Sequence, residues 1–144
     1  DLGVNPKVPT SAIRIAMAQS WARKLCKNGK KEVVLEGDTK ASIDSILGEI
    51  EDKSLIPKEY SKIYEPVGCD KCNNTGYKGR IGIYEAILTD QNIEKVVEFN
   101  PSEREIWQAA KGQGLLTMKQ DGILKVLSGI TSVVELERVI ALTD

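Results

Sequence analysis

The stretch Gly68–Glu85, GCDKCNNTGYKGRIGIYE, decides how the rest of the chain is interpreted, because a cysteine-bearing turn leads directly into a strand pattern. Cys69 and Cys72 have the C-x-x-C spacing that lets two thiolates bind one metal ion from a tight turn. The two asparagines and the glycine that follow them favour turns. Arg80–Leu88 then alternates around Ile81 and Ile83, which predicts a strand, and its glycine indicates close packing or a bulge.

Cys26 is the chain's third cysteine and the candidate third ligand, and the chain contains no histidine. A structural zinc site needs four ligands, and Gly29 stands where a second C-x-x-C would place the fourth. A carboxylate such as Glu32 or Asp70, or a water molecule, would complete the site. The alternative is a relic site that hydrogen bonds hold together without metal. Redox catalysis by the C-x-x-C pair is disfavoured because no thioredoxin-like βαβ pattern surrounds it.

The pattern before the cysteine turn predicts mostly helix. Apolar residues recur every four positions at Ile13, Met17, Trp21 and Leu25, behind a helix-start signal at Pro9–Ser11, and indicate an amphipathic helix. Residues 31–35 form a short strand or loop, and a second helix is predicted over residues 40–51. Residues 54–79 show no periodicity and are rich in turn-forming residues.

After the predicted strand the chain is expected to be helical. Each helix has its own start signal, a potential capping residue or capping box: Asp90, Ser102 with Glu105, and Ser132 with Glu135. An apolar stripe over residues 116–127 ends at Gly129. The low aromatic content, 5%, leaves a core of aliphatic residues, so we expect a mainly α-helical chain with a few short strands.

Composition excludes several classes of protein. Lys and Arg number 20 against 21 Asp and Glu, so the chain lacks the net positive charge of a dedicated nucleic-acid binder. The densest basic cluster is interpreted as a solvated surface: Arg23, Lys24, Lys27, Lys30 and Lys31. No apolar run of about 18 residues and no leading signal segment occurs, which favours the cytosol. The start at Asp1, without Met, indicates a piece of a longer protein.

Gly68–Glu85 resembles the signature of the type II secretion and type IV pilus assembly ATPases, a family of hexameric RecA-like motors. The helix that leads into the family's cysteine subdomain is similar to Asp1–Val4 and Ala18-Gln19 of this chain. The glycine-interrupted helices around Gly122 and Gly129 are similar to its helical C-terminus. Two departures stand out: Gly29 occupies a position that is usually cysteine, and Ser20 one that is usually arginine.

The resemblance implies an α/β, RecA-like parent protein and divides this chain into four segments. Residues 1–25 end the ATPase core, and 26–79 form a degenerate tetracysteine subdomain with Cys26, Cys69 and Cys72 as zinc ligands. Residues 80–90 are a core strand, and 91–144 a helical C-terminal subdomain.

The resemblance also implies a function. The parent would use ATP and Mg²⁺ as a homohexamer that is cytoplasmic and peripheral to the inner membrane. It would power pilus assembly or type II secretion and couple hydrolysis to an inner-membrane platform protein and other assembly proteins, without nucleic acid.

The chain itself contains no G-x-x-x-x-G-K-[ST] phosphate-binding loop and no predicted catalytic residue, so we expect no hydrolysis by the chain alone. Arg80 is the candidate nucleotide contact, because the resemblance places it near the nucleotide. The alternative for Arg80 is an ion pair, for example with Glu85.

Two other interpretations remain open. Cys-x-x-Cys-x-x-Thr-Gly is similar to the cysteine repeats of DnaJ-type chaperones, which would make the chain a zinc-ribbon-type protein-binding module unrelated to a motor. That interpretation needs several repeats, and the chain has one. Alternatively, the helical part only supports a hexamer interface and touches no further partner.

Overall fold

The computed structural model describes residues 12–142. Four strands lie in this part of the chain: β1 (Ile15–Leu25), β2 (Lys30–Val34), β3 (Lys62–Pro66) and β4 (Tyr77–Leu88). Five α-helices lie wholly within it: α1 (Gly37–Gly48), α2 (Gln91–Val97), α3 (Glu103–Ala110), α4 (Met118–Leu127) and α5 (Val133–Val139). Short 3-10 helices form at Lys53–Leu55 and Asp70–Cys72. The expected mixture of helices and a few strands is confirmed, although β1 and β4 span 11 and 12 residues and are not short.

The described residues divide into two compact units. One contains the residues up to Ala18 together with Glu85–Leu115, and the other contains Gln19–Tyr84 together with the residues from Leu116 onward. The four segments expected from the sequence are consecutive stretches of the chain, whereas each unit combines two separate stretches. The division into four segments stays a prediction. The similarity at Asp1–Val4 and the helix-start signal at Pro9–Ser11 lie outside the described residues.

β1 replaces the helix that the four-residue spacing of apolar residues predicted over residues 13–25, and that prediction was wrong. Side chains four positions apart share one face of a helix, but they also share one face of a strand, whose period is two. Of the predicted stripe only Leu25, at its end, is buried; Met17 and Trp21 are exposed, whereas Ala22, on the other face, is fully buried.

β4 provides the long-range pairing that makes this segment a strand. The two strands pair in a two-stranded sheet. Near one end the amide of Thr89 donates to the carbonyl of Arg14, and near the other the amide of Cys26 donates to the carbonyl of Gly76. These two contacts connect opposite ends of the strands, so β1 and β4 run antiparallel. β4 confirms the predicted strand and begins three residues earlier, at Tyr77.

β2 and β3 form a second antiparallel pair, with Lys30 opposite Pro66 and Val34 opposite Lys62. The strand alternative for residues 31–35 is confirmed, whereas β3 was not predicted. Pro66 sits at the last position of β3, where a residue without an amide proton is tolerated in a strand.

The hydrophobic core lies in the second unit and is aliphatic, as the composition predicted. Its fully buried members include Ile43 and Leu47 of α1, Ile83 of β4 and Leu136 of α5. Helices α4 and α5 pack closely at Gly122: a Cβ added there would lie 2.4 Å from Cδ1 of Leu136. Close packing therefore requires glycine here.

The predicted helix starts of the first unit are confirmed. The Asp90 carboxylate accepts hydrogen bonds from the amides of Asn92 and Ile93 at the start of α2. Ser102 and Glu105 form the complete capping box at the start of α3. Within residues 12–142 the structure contains no helix long and apolar enough to span a membrane.

Candidate metal centre

The three cysteines meet at one place in the second unit. Cys26 follows β1, Cys69 directly precedes the 3-10 helix before β4, and Cys72 is the last residue of that helix. All three are free thiols; Cys26 and Cys72 are buried and Cys69 is half-buried. The sequence reasoning therefore selected residues that come together although Cys26 and Cys69 are 43 positions apart.

The sulfur separations match a site for one metal ion. The Sγ atoms of Cys26 and Cys69 are 3.7 Å apart, those of Cys69 and Cys72 are 3.5 Å apart, and all three lie within 4.8 Å of one another. A tetrahedral zinc ion with zinc–sulfur bonds of about 2.3 Å separates its sulfur ligands by about 3.8 Å. The three thiols thus fit zinc as a partial ligand set.

The local hydrogen bonds prepare one thiol for ionisation. Burial by itself raises the pKa of Cys72, but hydrogen bonds from the Cys69 thiol and the amides of Gly76 and Cys69 outweigh burial and lower that pKa to about 7. Burial and the hydrogen bonds to Cys72 and Cys26 raise the pKa of Cys69. Cys72 is therefore the first of the two to become the thiolate that binds a metal ion.

Gly29 lies next to the Cys72 thiol, at the position where the interrupted cysteine spacing placed the missing fourth ligand. A Cβ built on Gly29 would lie 3.0 Å from Sγ of Cys72. The Gly29 carbonyl accepts hydrogen bonds from the amides of Val67 and Gly68, at 2.8 and 3.0 Å. Position 29 is thus fixed beside the thiols by backbone contacts alone.

The two carboxylates considered as a fourth ligand do not join the thiols. Glu32 pairs with Lys62 at 2.7 Å and accepts a hydrogen bond from the hydroxyl of Tyr64, both on the neighbouring strand β3. Asp70 is not part of the cluster either, since the only potential ligand group among the described residues is the thiol triad. The structure therefore places neither carboxylate at the thiols, and we retain water as the candidate fourth ligand.

The turn after Cys72 has the backbone geometry that its sequence indicated. Asn73 and Asn74 adopt left-handed conformations, with φ of 50° and 59°. The Thr75 hydroxyl donates to the carbonyl of Cys72 at 2.7 Å. The turn closes at Gly76, where φ is +75° and an added Cβ would lie 2.4 Å from the Cβ of Pro66.

We expect Gly76→Ala to lower the free energy of unfolding by about 2 kcal/mol, because it adds both a steric clash and a left-handed alanine. Gly112→Ala is the matched control: its φ is +89°, but nothing lies within 4 Å of the added Cβ. Urea unfolding followed by circular dichroism measures both variants. Equal losses in the two would show that Pro66 does not crowd this position.

Arg80, the candidate nucleotide contact, lies exposed on β4 with its guanidinium carbon 5.7 Å from the ring centroid of Trp21. The proposed nucleotide role of Arg80 stays a prediction.

Sequence reasoning missed an ion cluster in which two exposed arginines bind one buried carboxylate. Glu135 was predicted to complete a capping box with Ser132. The Ser132 hydroxyl does accept from the Glu135 amide, at 3.2 Å. The Glu135 carboxylate turns inward instead and is fully buried. It accepts from the side chains of Arg23 and Arg138, and from the Arg23 amide. The i,i+3 spacing of Glu135 and Arg138 was the available signal.

Three neighbours complete this cluster. The Arg23 guanidinium lies 4.3 Å from the ring centroid of Tyr77. The Tyr77 hydroxyl is 2.7 Å from the Ser132 hydroxyl, and the Thr131 hydroxyl donates to the Arg23 carbonyl at 2.9 Å. The cluster fixes β1 against the start of α5. It does so at Arg23, three residues before Cys26.

A cysteine-bearing turn joined to a strand, with a helical region after it, is the pattern of secretion and pilus motors noted in the sequence. The model of the "Type II/IV secretion system protein" family matches residues 1–138. The chain therefore belongs to this family.

Individual relatives agree with the assignment. The chain is 37% identical over 143 residues to "Type IV pilus assembly ATPase TfpB" of Acinetobacter baylyi, covering 99% of this chain and 23% of that protein. It is 35% identical over 139 residues to "Type IV pilus assembly ATPase PilB" of Pseudomonas aeruginosa, covering 96% of this chain and 23% of that protein. It is 30% identical over 139 residues to "Type II secretion system protein E" of Dickeya dadantii, covering 96% and 25%. The chain thus spans about a quarter of the length of these curated relatives.

Proposed function

We propose that the chain is the C-terminal region of a hexameric, RecA-like cytoplasmic motor ATPase that powers type IV pilus assembly or type II secretion. The family match over residues 1–138 carries the proposal. The names of the relatives add pilus assembly ATPases and a type II secretion protein. A zinc-ribbon module unrelated to a motor does not explain similarity over nearly the whole chain.

Nucleotide hydrolysis is assigned to the part of the motor that this chain does not contain. Hydrolysis needs backbone amides that cradle the phosphates and a hydroxyl that holds Mg²⁺, and the sequence contains no such loop. In this proposal Arg80 is the chain's single contribution to the ATP and Mg²⁺ site. The chain alone should not hydrolyse ATP.

The metal centre is proposed to hold zinc through Cys26, Cys69 and Cys72, with a water molecule as the fourth ligand. Three converging sulfurs at near-tetrahedral separations and a lowered pKa at Cys72 support this choice. Bound zinc would cross-link the turn after β1 to the turn before β4.

Backbone contacts of the chain already join the same two turns. The amide of Cys26 donates to the carbonyl of Gly76, and the carbonyl of Gly29 accepts from the amides of Val67 and Gly68. The two turns therefore form one structural piece, joined by backbone hydrogen bonds. We propose that this piece couples ATP-driven movement in the parent to an inner-membrane platform protein, to which the motor is bound peripherally.

Capture of the platform protein's cytoplasmic domain by the full-length motor tests the coupling role. We expect Cys69→Ser to weaken capture at least tenfold while ATP hydrolysis changes less than twofold, because the thiol helps to hold the two turns together and is not the proposed nucleotide contact. Val134→Ser, an exposed change on α5, is the control and should leave capture unchanged. Zinc loss in Cys69→Ser with unchanged capture would contradict the coupling role.

A further inference from the structure

The basic side chains of residues 23–31 fall into two groups in the structure, those with a partner and those without one. Arg23 is bound to Glu135 at 2.6 Å, and Lys31 pairs with Glu65 at 3.2 Å. The Lys30 ammonium donates to the carbonyl of Gly129 at 2.8 Å and also lies 4.0 Å from the ring centroid of Tyr64. Three of the five basic side chains therefore already have partners.

The other two face a pocket. The side chains of Lys24 and Lys27 are exposed and make no hydrogen bond or ion pair in the part of the chain that the structure describes. Both line a surface pocket of about 270 Å³. Lys71 of the 3-10 helix and Lys78 of β4 line the same pocket, and they too lack a charged partner among the described residues. We call this site the lysine pocket.

The strand pairing keeps these charges together. Lys24 on β1 and Lys78 on β4 each lie two residues from the point where the Cys26 amide donates to the Gly76 carbonyl. Like charges on neighbouring strands repel one another. The strand pairing therefore holds Lys24 and Lys78 at neighbouring backbone positions, and no carboxylate lines the pocket.

The chain as a whole does not explain this concentration of charge, because its formal net charge is -1. Four ammonium groups around one concavity raise the local concentration of anions. Lysine binds phosphate as a compact point charge. The remaining lining residues are Leu25, Cys26 and Asn28, of which Asn28 offers an amide to an anionic oxygen.

The shape favours a compact anion over an acidic peptide. An extended peptide is recognised along a sheet edge or a groove, with pockets for alternate side chains. The lysine pocket is a single concavity, and four of its seven lining residues are lysines. We propose that the lysine pocket binds a phosphate group carrying two or more negative charges, from a soluble phosphorylated molecule or from the headgroup of a phospholipid.

Pyrophosphate is the probe for this site, titrated into the 144-residue chain at about 150 mM salt while amide chemical shifts are recorded. We expect saturable shifts centred on residues 24–28, 71 and 78. Lys27→Gln/Lys71→Gln should raise the dissociation constant at least tenfold. Lys58→Gln/Lys95→Gln removes the same charge from exposed lysines elsewhere and should change it less than twofold.

Vesicles distinguish the two sources of phosphate. The chain is sedimented together with phosphatidylglycerol vesicles. If it co-sediments, if pyrophosphate abolishes this binding, and if Lys27→Gln/Lys71→Gln does not bind, the result supports the proposal with a headgroup as the source. Pyrophosphate binding without vesicle binding supports it with a soluble source. Non-saturating shifts, equal losses in both double variants, or tighter binding of an acidic peptide than of pyrophosphate would overturn it. Circular dichroism checks that each variant is folded.

Discussion

Glu135→Gln should lower the free energy of unfolding by about 3 kcal/mol at neutral pH, because it removes the charge from a buried carboxylate between two guanidinium groups. Glu135 is fully buried and accepts hydrogen bonds from the side chains of Arg23 and Arg138. An amide nitrogen in its place would point a donor toward those donors. Urea unfolding of the variant and of the wild-type chain measures the difference.

The effect should depend on pH in a defined direction. Burial by itself raises the pKa of Glu135, but hydrogen bonds from Arg138 and Arg23 outweigh it and lower that pKa to about 2. A carboxylate with a lowered pKa stabilises the fold at pH values above about 4.5, the pKa that the group has in the unfolded chain. This stabilisation is lost as the pH falls toward 2, the pKa in the folded chain. The difference between the wild type and Glu135→Gln should therefore shrink to less than half by about pH 3.

Glu137→Gln is the matched control for this prediction. Glu137 is on the same helix, two residues further on, and is exposed. A surface change of this kind alters stability by at most about 0.5 kcal/mol. If the two variants lost equal stability at neutral pH, the Arg23–Glu135–Arg138 cluster would not stabilise the fold.

Removal of zinc should have the second large effect. A ligand present at about 1,000 times its dissociation constant stabilises the state that it binds by about 4 kcal/mol. We therefore expect a strong chelator to lower the melting temperature of zinc-loaded protein by about 10 °C. Cys72→Ser should melt at the same temperature with and without chelator, because two thiols remain.

Protons compete with zinc at the same sulfurs, so acid should act like a chelator. Cys72 has a pKa lowered to about 7, and the pKa of Cys69 is raised. Lowering the pH through this range protonates the thiolates that bind metal. Zinc release measured with an indicator dye should increase as the pH is lowered. Release that does not depend on pH would contradict thiolate ligation.

The candidate metal centre was predictable because its ligands are the chain's three cysteines, two of them at a recognisable spacing. The C-x-x-C spacing, the turn-forming residues after it and the interruption at Gly29 all appear in the sequence, and the folded chain brings Cys26 to Cys69 and Cys72. The lysine pocket was not predictable, since Lys71 and Lys78 join Lys24 and Lys27 only through the fold.

The fold was predictable where a local signal decides the structure. Helix starts at Asp90 and Ser102 were recognised because one or two side chains satisfy the first amides of each helix. β1 was assigned as helix because a four-residue spacing fits both structures, and only its pairing with β4 decides between them. Glu135 was placed at a helix cap because its distant partner, Arg23, lies 112 residues away.

The central claim is that three thiols bind one zinc ion with its fourth position open. Zinc K-edge X-ray absorption on protein purified without added metal tests it most directly, with Gly29→Cys as the comparison. We predict one zinc per chain with three sulfur neighbours and one lighter neighbour, and four sulfur neighbours in Gly29→Cys, whose Cβ would lie 3.0 Å from the Cys72 sulfur. Protein without zinc, or zinc without sulfur neighbours, would contradict the claim.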